Sequence, residues 1–127
     1  MKSYTDIEQS KKLAEILPLE SADMWWNTEK HYPEFVKTYR EHLGEQISPI
    51  PVWSLAALLQ IMPHCIDVRY ELVFVRYDLV LGKLSDNKGW YVMYDDVNHF
   101  VNIYIAKSEL IDACVEMIFK LKEKDLL

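Results

Sequence analysis

The densest group of side chains that could do chemistry is Asp95-Asp96 with His99, two carboxylates and an imidazole within five positions. Such groups serve as metal ligands and as general acids or bases. A metal site would need further ligands, and no second cluster is spaced to complete one. Asp and Asn also stabilise turns through side-chain hydrogen bonds, so a solvated turn is the favoured interpretation. A small enzyme with its site near these three residues is the alternative.

His64-Cys65 is the second group to consider, because a thiolate beside a base is a nucleophile. Neighbouring side chains of an extended segment point to opposite faces, so His64 is poorly placed to activate Cys65. A site at Cys65 would need a histidine distant in sequence. We therefore predict that Cys65 is a buried or half-buried thiol, and that Cys114, on the apolar face of a helix, lies in the core.

The remaining histidines and the known motifs add no chemistry. His31 and His42 lie among glutamates, a pattern typical of a solvated helical surface. The sequence contains no HExxH, no GxSxG and no glycine-rich phosphate loop. We predict no metal, no cofactor and no catalytic residues.

Trp25-Trp26 suggests contact with another protein. Two successive rings cannot both point inward from a regular element, and aromatic side chains are enriched at the centres of interfaces. The pair therefore predicts a surface for a homodimer or a protein partner that includes Trp25 or Trp26. The alternative is that the chain is irregular there and both rings pack on the domain.

Length and charge limit the classes of function. A chain of 127 residues, half of them hydrophobic, suits one domain over residues 1–127. The net charge is −6, and acidic residues exceed basic ones in both halves, by 9 to 6 in residues 1–63 and by 11 to 8 in residues 64–127. Binding to nucleic acid or to an anionic membrane draws on clustered Lys and Arg. Neither kind of partner is expected.

A cytoplasmic location is expected from three features. No apolar run of signal-peptide length lies near the N-terminus. The longest apolar stretch, over residues 52–63, contains Ser54 and Gln60 and is too short to cross a bilayer. The two cysteines lack the CxxC spacing of a redox or metal site and the number typical of a secreted disulfide framework.

Four helices are predicted from capping residues, apolar spacing and stop signals. Thr5-Asp6-Ile7-Glu8 forms a capping box, and Pro33 suits a first helical turn. Ser54 and Ser108 are the caps expected for the other two helices. The predicted helices cover residues 5–18, 33–44, 54–63 and 108–124.

The segment between the last two helices predicts strands. Apolar residues alternate over residues 68–75, and a change of phase indicates a bulge or tight turn near Arg76. Turn residues at 85–89 join strands over 77–83 and 90–94, and residues 100–105 could form a fourth. The predicted class is α+β, an antiparallel sheet of three to four strands packed by about four helices in a sandwich.

Three blocks carry a resemblance to a known family. They are Tyr4-Thr5-Asp6-Ile7 with the segment up to Pro18, Trp53-Ser54-Leu55-Ala56-Ala57-Leu58-Leu59, and Asp112-Ala113-Cys114-Val115-Glu116-Met117-Ile118. They resemble a family of small uncharacterised proteins of gut anaerobes and their phages, and more loosely a phage alpha-beta-alpha sandwich domain. The resemblance implies a prophage or mobile-element origin and supplies no catalytic residues. It is weakest over residues 25–46, whose structure is left open, and an accessory or protein-interaction role is preferred.

Overall fold

The computed structural model describes residues 2–27, 32–35, 50–98 and 100–127. These residues form two compact units, Lys2–Ile61 and Met62–Leu127. They contain two antiparallel sheets and three α-helices, which confirms the α+β class. The described residues contain two sheets where one was expected, and they do not support the four-helix count or the sandwich layout. None of the described helices is long and apolar enough to span a membrane.

The element bounds are as follows. The helices are α1 (Ile7–Ala14), α2 (Leu55–Ile61) and α3 (Leu110–Glu123), with a 3-10 helix at Leu19–Ser21. The strands of the first unit are β1 (Met24–Asn27), β2 (Tyr32–Phe35) and β3 (Ile50–Val52). Those of the second unit are β4 (Cys65–Tyr70), β5 (Val73–Lys83), β6 (Trp90–Asp95) and β7 (Val101–Lys107).

Helix α1 begins one residue later than the predicted capping box. Asp6 is the cap, since its Oδ1 accepts the Gln9 N–H at 2.7 Å and the Asp6 N–H donates to Gln9 Oε1 at 3.1 Å. Thr5 is buried and has other partners. Its Oγ1 accepts the Trp53 N–H at 3.1 Å and lies 2.8 Å from the Ser10 Oγ. The hydroxyl of Thr5 is thus used in tertiary contacts, which leaves the capping role to its neighbour.

The sheet of the first unit has the order β2-β1-β3 and replaces part of a predicted helix. The helix expected from Pro33 is wrong at its start, because Pro33 lies in β2, opposite Trp26 of β1. An edge strand tolerates proline, whose missing N–H need not join the ladder. Pairing with β1 therefore overrides the local helix signal. Residues 36–49, with His42 and Gly44, lie outside the described residues, as does His31.

Helix α2 confirms the predicted segment and its cap. The Ser54 Oγ accepts the Ala57 N–H at 3.2 Å, as expected of an N-cap. Asp23 holds this cap in place, because its carboxylate accepts both the Ser54 N–H, at 2.9 Å, and the Ser54 hydroxyl. The helix buries Leu58 completely.

The second unit is an antiparallel meander with the order β4-β5-β6-β7. The predicted turn over residues 85–89 and the fourth strand are confirmed. The break expected near Arg76 is misplaced, because the chain turns at Glu71 and Leu72. Glu71 adopts a left-handed φ of 52° there, and its carbonyl accepts the Arg69 Nε–H at 3.0 Å. A turn built on Glu and Leu gives no composition signal.

Helix α3 packs against β6 and β7 and completes the core of this unit. Its Cys114 is fully buried, which confirms the prediction for that thiol. The helix is capped by Glu109 rather than Ser108, without a side-chain hydrogen bond to the helix. The facing side chains of the sheet lie on one face of β6 and β7; they are Val92, Tyr94, Ile103 and Ile105.

Candidate protein-interaction surface

Exposed apolar residues are concentrated at one end of the four-stranded sheet. The β4–β5 turn and the β6–β7 connection lie at the same end, because β4 and β6 run in the same direction in the antiparallel meander. We call the exposed apolar residues of these two loops and the adjoining strand segments the apolar end. They are Tyr70, Leu72, Val73, Phe74, Val97, Phe100, Val101 and Tyr104.

The extent of this exposure is unusual for a surface that stays in water. Leu72 is 91% exposed and Phe74 is 67% exposed. Since one aromatic side chain presents roughly 150–250 Å², the eight residues together expose on the order of 1,000 Å². The largest apolar patch of a typical monomer is about 300–600 Å², and larger ones mark contact sites. Val73 and Phe74 are successive strand residues, so this area is divided between the two faces of the sheet. Eight of the large apolar residues that are exposed in the described part of the chain nevertheless lie at this one end.

Specific contacts hold parts of the apolar end in place. The Arg69 guanidinium carbon lies 5.7 Å from the centre of the Phe74 ring, across the β4–β5 pair. The Tyr70 hydroxyl lies 3.1 Å from that of Tyr77. Such contacts order the exposed rings before binding, which lowers the entropy that a partner must offset.

Within the acidic pair Asp95-Asp96, Asp96 stabilises the β6–β7 connection by hydrogen bonds. The Asp96 Oδ1 accepts the N–H groups of Asn98 and Phe100, both at 2.9 Å, and the Asp96 N–H donates to the Phe100 carbonyl at 3.1 Å. These bonds are those of an Asx-type turn, which is the interpretation that the sequence favoured. Asp95 is buried at the end of β6, and His99 lies outside the described residues.

Cys65 is half-buried, as predicted, and the strand register places it in one row with two carboxylates. Cys65 pairs with Asp78, and Asp78 pairs with Asp95. The strand spacing separates the backbones of Cys65 and Asp95 by about 10 Å. Asp78 forms an ion pair with Arg76 at 3.0 Å. The row brings together two residues named separately from the sequence, and among the described residues its third member is the carboxylate of Asp78.

No metal centre is found in the part of the chain that the structure describes. There, no group of three or more His, Cys, Asp or Glu side chains is arranged to hold a metal ion. Cys65, Asp78 and Asp95 follow one another across the sheet instead of converging on one point.

The tandem tryptophans divide between the two faces of β1. Trp25 is 4% exposed and belongs to the core of the first unit, whereas Trp26 is half-buried. This agrees with the argument that two successive rings of a regular strand cannot both point inward. The predicted contact at this pair stays a prediction, and Trp26 is the ring that could carry it.

A shallow cavity of about 350 Å³ lies at the opposite end of the sheet, between the β5–β6 turn and the start of α3. The Lys83 ammonium lies there 5.1 Å from the centre of the Trp90 ring. The lining contains no histidine and no thiol, so it lacks the usual pairing for nucleophilic catalysis. Its residues are Lys83, Asn87, Lys88, Gly89, Trp90, Ser108 and Glu109.

The apolar end was not identified from the sequence. Two of its residues look like ordinary strand residues in the sequence. The alternating pattern assigns Leu72 to the strand over residues 68–75, and Phe100 begins the predicted fourth strand. The turn at Glu71 and Leu72 places Leu72 at the end of the sheet, and the start of β7 at Val101 leaves Phe100 in the β6–β7 connection. No family model, curated protein or solved structure matches this chain.

Proposed function

We propose that this chain is a non-catalytic accessory protein that binds another polypeptide through the apolar end. The observation that carries the proposal is the exposure of eight large apolar residues at one end of one sheet. Burial of such a surface is favourable by about 25 cal/mol per Å², whereas its exposure is a liability. The setting that we infer is the cytoplasm of a host that carries a prophage or mobile element, as the resemblance implies.

The ionisable groups near the apolar end support binding over catalysis. The Asp96 carboxylate accepts the backbone hydrogen bonds of its own turn, and Asp78 forms an ion pair with Arg76. A catalytic site near Cys65, Asp95, Asp96 or His99 would need a nucleophile, a base and a group that orients the base. Asp78 lies between Cys65 and Asp95 in the row, but its carboxylate is paired with Arg76, so the small enzyme is the weaker of the two proposals.

Charge supports a protein as the partner. The chain is acidic in both halves, and the two arginines beside the apolar end have local partners. Arg69 lies over Phe74 and donates to the Glu71 carbonyl, while Arg76 pairs with Asp78. A nucleic acid would require free cations arranged along its phosphates. An apolar surface whose neighbouring arginines already have partners in the same chain suits a polypeptide.

The test compares matched variants in a quantitative binding experiment. The tagged full chain is used to isolate partners from its native host, and each interaction is then reproduced with purified proteins by calorimetry. Leu72→Glu with Phe100→Glu places two charges in the apolar end. Leu19→Glu is the control, because Leu19 is 62% exposed but lies in the other unit. Trp26→Ala tests the contact predicted from the sequence.

We expect the double variant to weaken binding at least 100-fold, while Leu19→Glu retains the wild-type affinity. The wild-type complex should show a negative heat-capacity change on binding, since apolar surface is buried. If every complex that forms is insensitive to the double variant but sensitive to Trp26→Ala, the contact lies at Trp26 and the proposed surface is wrong. If no polypeptide, including a second copy of the chain, binds, the proposed function is wrong.

A further inference from the structure

We propose that the polypeptide bound at the apolar end is a second copy of this chain, joined by antiparallel pairing of residues 73–77 of β5 with the same segment of the other copy. This inference rests on the proposed function and names its partner. It follows from the backbone of β5, from the chemistry of its side chains and from the exposed area.

The backbone of β5 has an open edge beyond the end of β6. Pairing with β6 begins at Asp78, whereas pairing with β4 continues to Val73. The Leu79 N–H donates to the His64 carbonyl at 3.0 Å, so the backbone groups of Leu79 point toward β4. Those of Val73, Val75 and Tyr77 point the same way. Since these groups alternate along a strand, those of Phe74 and Arg76 point to the side where β6 has ended.

In the described residues Asn102 of β7 reaches the Tyr77 side chain, but the connection from β6 to β7 forms no backbone pair with residues 73–77. The backbone N–H groups of Asp96, Asn98 and Phe100 bond within the connection itself. No described strand pairs with β5 on that side between Val73 and Asp78. An exposed strand edge with unpaired backbone groups is a template for another strand.

The side chains of this segment are compatible with pairing to themselves. Residues 73–77 are Val-Phe-Val-Arg-Tyr, which are β-branched, aromatic and positively charged, without glycine or proline. A two-fold antiparallel pair brings Arg76 of each copy near Phe74 of the other. Within one chain the same kind of contact already forms across β4 and β5, where Arg69 lies over the Phe74 ring.

The exposed area suits a dimer of two such surfaces. A stable interface buries about 800 Å² on each partner. The apolar end exposes on the order of 1,000 Å² in total over both faces of the sheet, and the residues at 72–74 that adjoin the open edge are among its most exposed. In a two-fold dimer the same patch is used twice, so one surface on each chain is sufficient. A two-fold contact at residues 73–77 also brings the neighbouring apolar residues of both copies together.

The edge geometry gives a specific test by amide hydrogen exchange. In the monomer the Val75 and Tyr77 amides bond to β4, whereas those of Phe74 and Arg76 point to solvent. We expect protection of the Phe74 and Arg76 amides to rise at least tenfold as the wild-type protein is concentrated from micromolar to millimolar. Protection of the Val75 and Tyr77 amides, already present, should change less. If the Phe74 and Arg76 amides exchange freely at every concentration, the second-copy proposal is wrong.

Two variants of one residue separate the backbone contact from the side chain. Arg76→Pro removes the N–H that faces the open edge but no bond to β4, whereas Arg76→Ala removes the side chain and keeps that N–H. We expect sedimentation to show a dimer for Arg76→Ala, and at least tenfold weaker association for Arg76→Pro. Equal dimer affinities would overturn the pairing. If Arg76→Pro does not fold, the amide exchange of the wild type decides.

The same experiments distinguish this inference from the proposed function. A wild type that is monomeric at all concentrations overturns the second copy as partner. The proposed function still stands if Leu72→Glu with Phe100→Glu abolishes binding of a different protein. A dimer that Phe74→Glu dissociates, and that Leu19→Glu leaves intact, supports both.

Discussion

The Tyr94 hydroxyl donates a hydrogen bond of 2.6 Å to the carbonyl oxygen of Pro63. Tyr94 is fully buried on β6, and burial raises the pKa of its hydroxyl above the ordinary value. The bond therefore ties the chain segment before β4 to the central part of the same sheet. A buried hydroxyl with one specific acceptor is a sensitive point of the fold.

Removal of this hydroxyl should destabilise the protein. Tyr94→Phe leaves the Pro63 carbonyl without its donor and should cost about 0.5–1.5 kcal/mol, or more if water cannot reach the carbonyl. Chemical unfolding followed by circular dichroism measures the change. Tyr104→Phe is the control, because Tyr104 is half exposed and should change stability by less than about 0.5 kcal/mol. Equal effects of the two changes would contradict the role of the Tyr94–Pro63 bond.

Truncation of Leu58 tests the core of the first unit. Leu58 is fully buried in α2, so Leu58→Ala should lower the free energy of unfolding by roughly 2–5 kcal/mol. Leu19→Ala makes the same chemical change at an exposed site and should cost less than about 0.5 kcal/mol. A loss below about 1 kcal/mol at Leu58 would mean that α2 is peripheral.

The buried thiol of Cys114 predicts a loss of stability at alkaline pH. Burial raises the pKa of Cys114 to about 12, from about 8.5 in the unfolded chain. The contribution of the protonated Cys114 thiol to the free energy of unfolding is fully present below about pH 8.5. It declines as the pH rises toward 12, because the thiol of the unfolded chain loses its proton first. Between pH 7 and pH 10 the wild type should lose about 1–2 kcal/mol more than Cys114→Ala. Urea unfolding in reductant measures this difference, and identical losses would show that Cys114 is not buried as a thiol.

Stability should not depend on a metal or a disulfide. The described residues contain no metal-binding group, and both cysteines are free thiols. Thermal melts with and without chelator, and with and without reductant, should therefore coincide. A fall of many degrees in Tm with chelator would reveal a metal site, with His31, His42 and His99 as the residues to replace first.

Local signals predicted the elements whose determinants lie close together in sequence. The β5–β6 hairpin followed from turn residues at 85–89, and α3 from its apolar face. The strand at Pro33 is missed although only four residues separate it from its partner β1, because Pro33 also suits the first turn of a helix and the apolar spacing after it favours that interpretation. Apolar residues alternate in the same phase before and after the two-residue turn at Glu71 and Leu72. The pattern therefore does not mark this turn, and the break is expected near Arg76, where the phase changes.

The candidate surface depends on relationships that no short segment contains. Phe74 is exposed because β5 continues past the end of β6, which is set by the register of three strands. Cys65 and Asp95 share a row for the same reason. The buried state of Trp25 and the half-buried state of Trp26, in contrast, follow from alternation within β1.

Hydroxyl-radical footprinting tests most directly whether the apolar end is a protein contact. The protein is labelled in two states: dissociated, at nanomolar concentration in buffer, and assembled, at its natural concentration in host lysate. Oxidation is then compared residue by residue. The account predicts that oxidation of Phe74, Phe100 and Tyr104 falls several-fold in the assembled state, while that of Leu19 is unchanged. Unchanged oxidation at all three aromatic residues, or protection confined to Trp26, would contradict it.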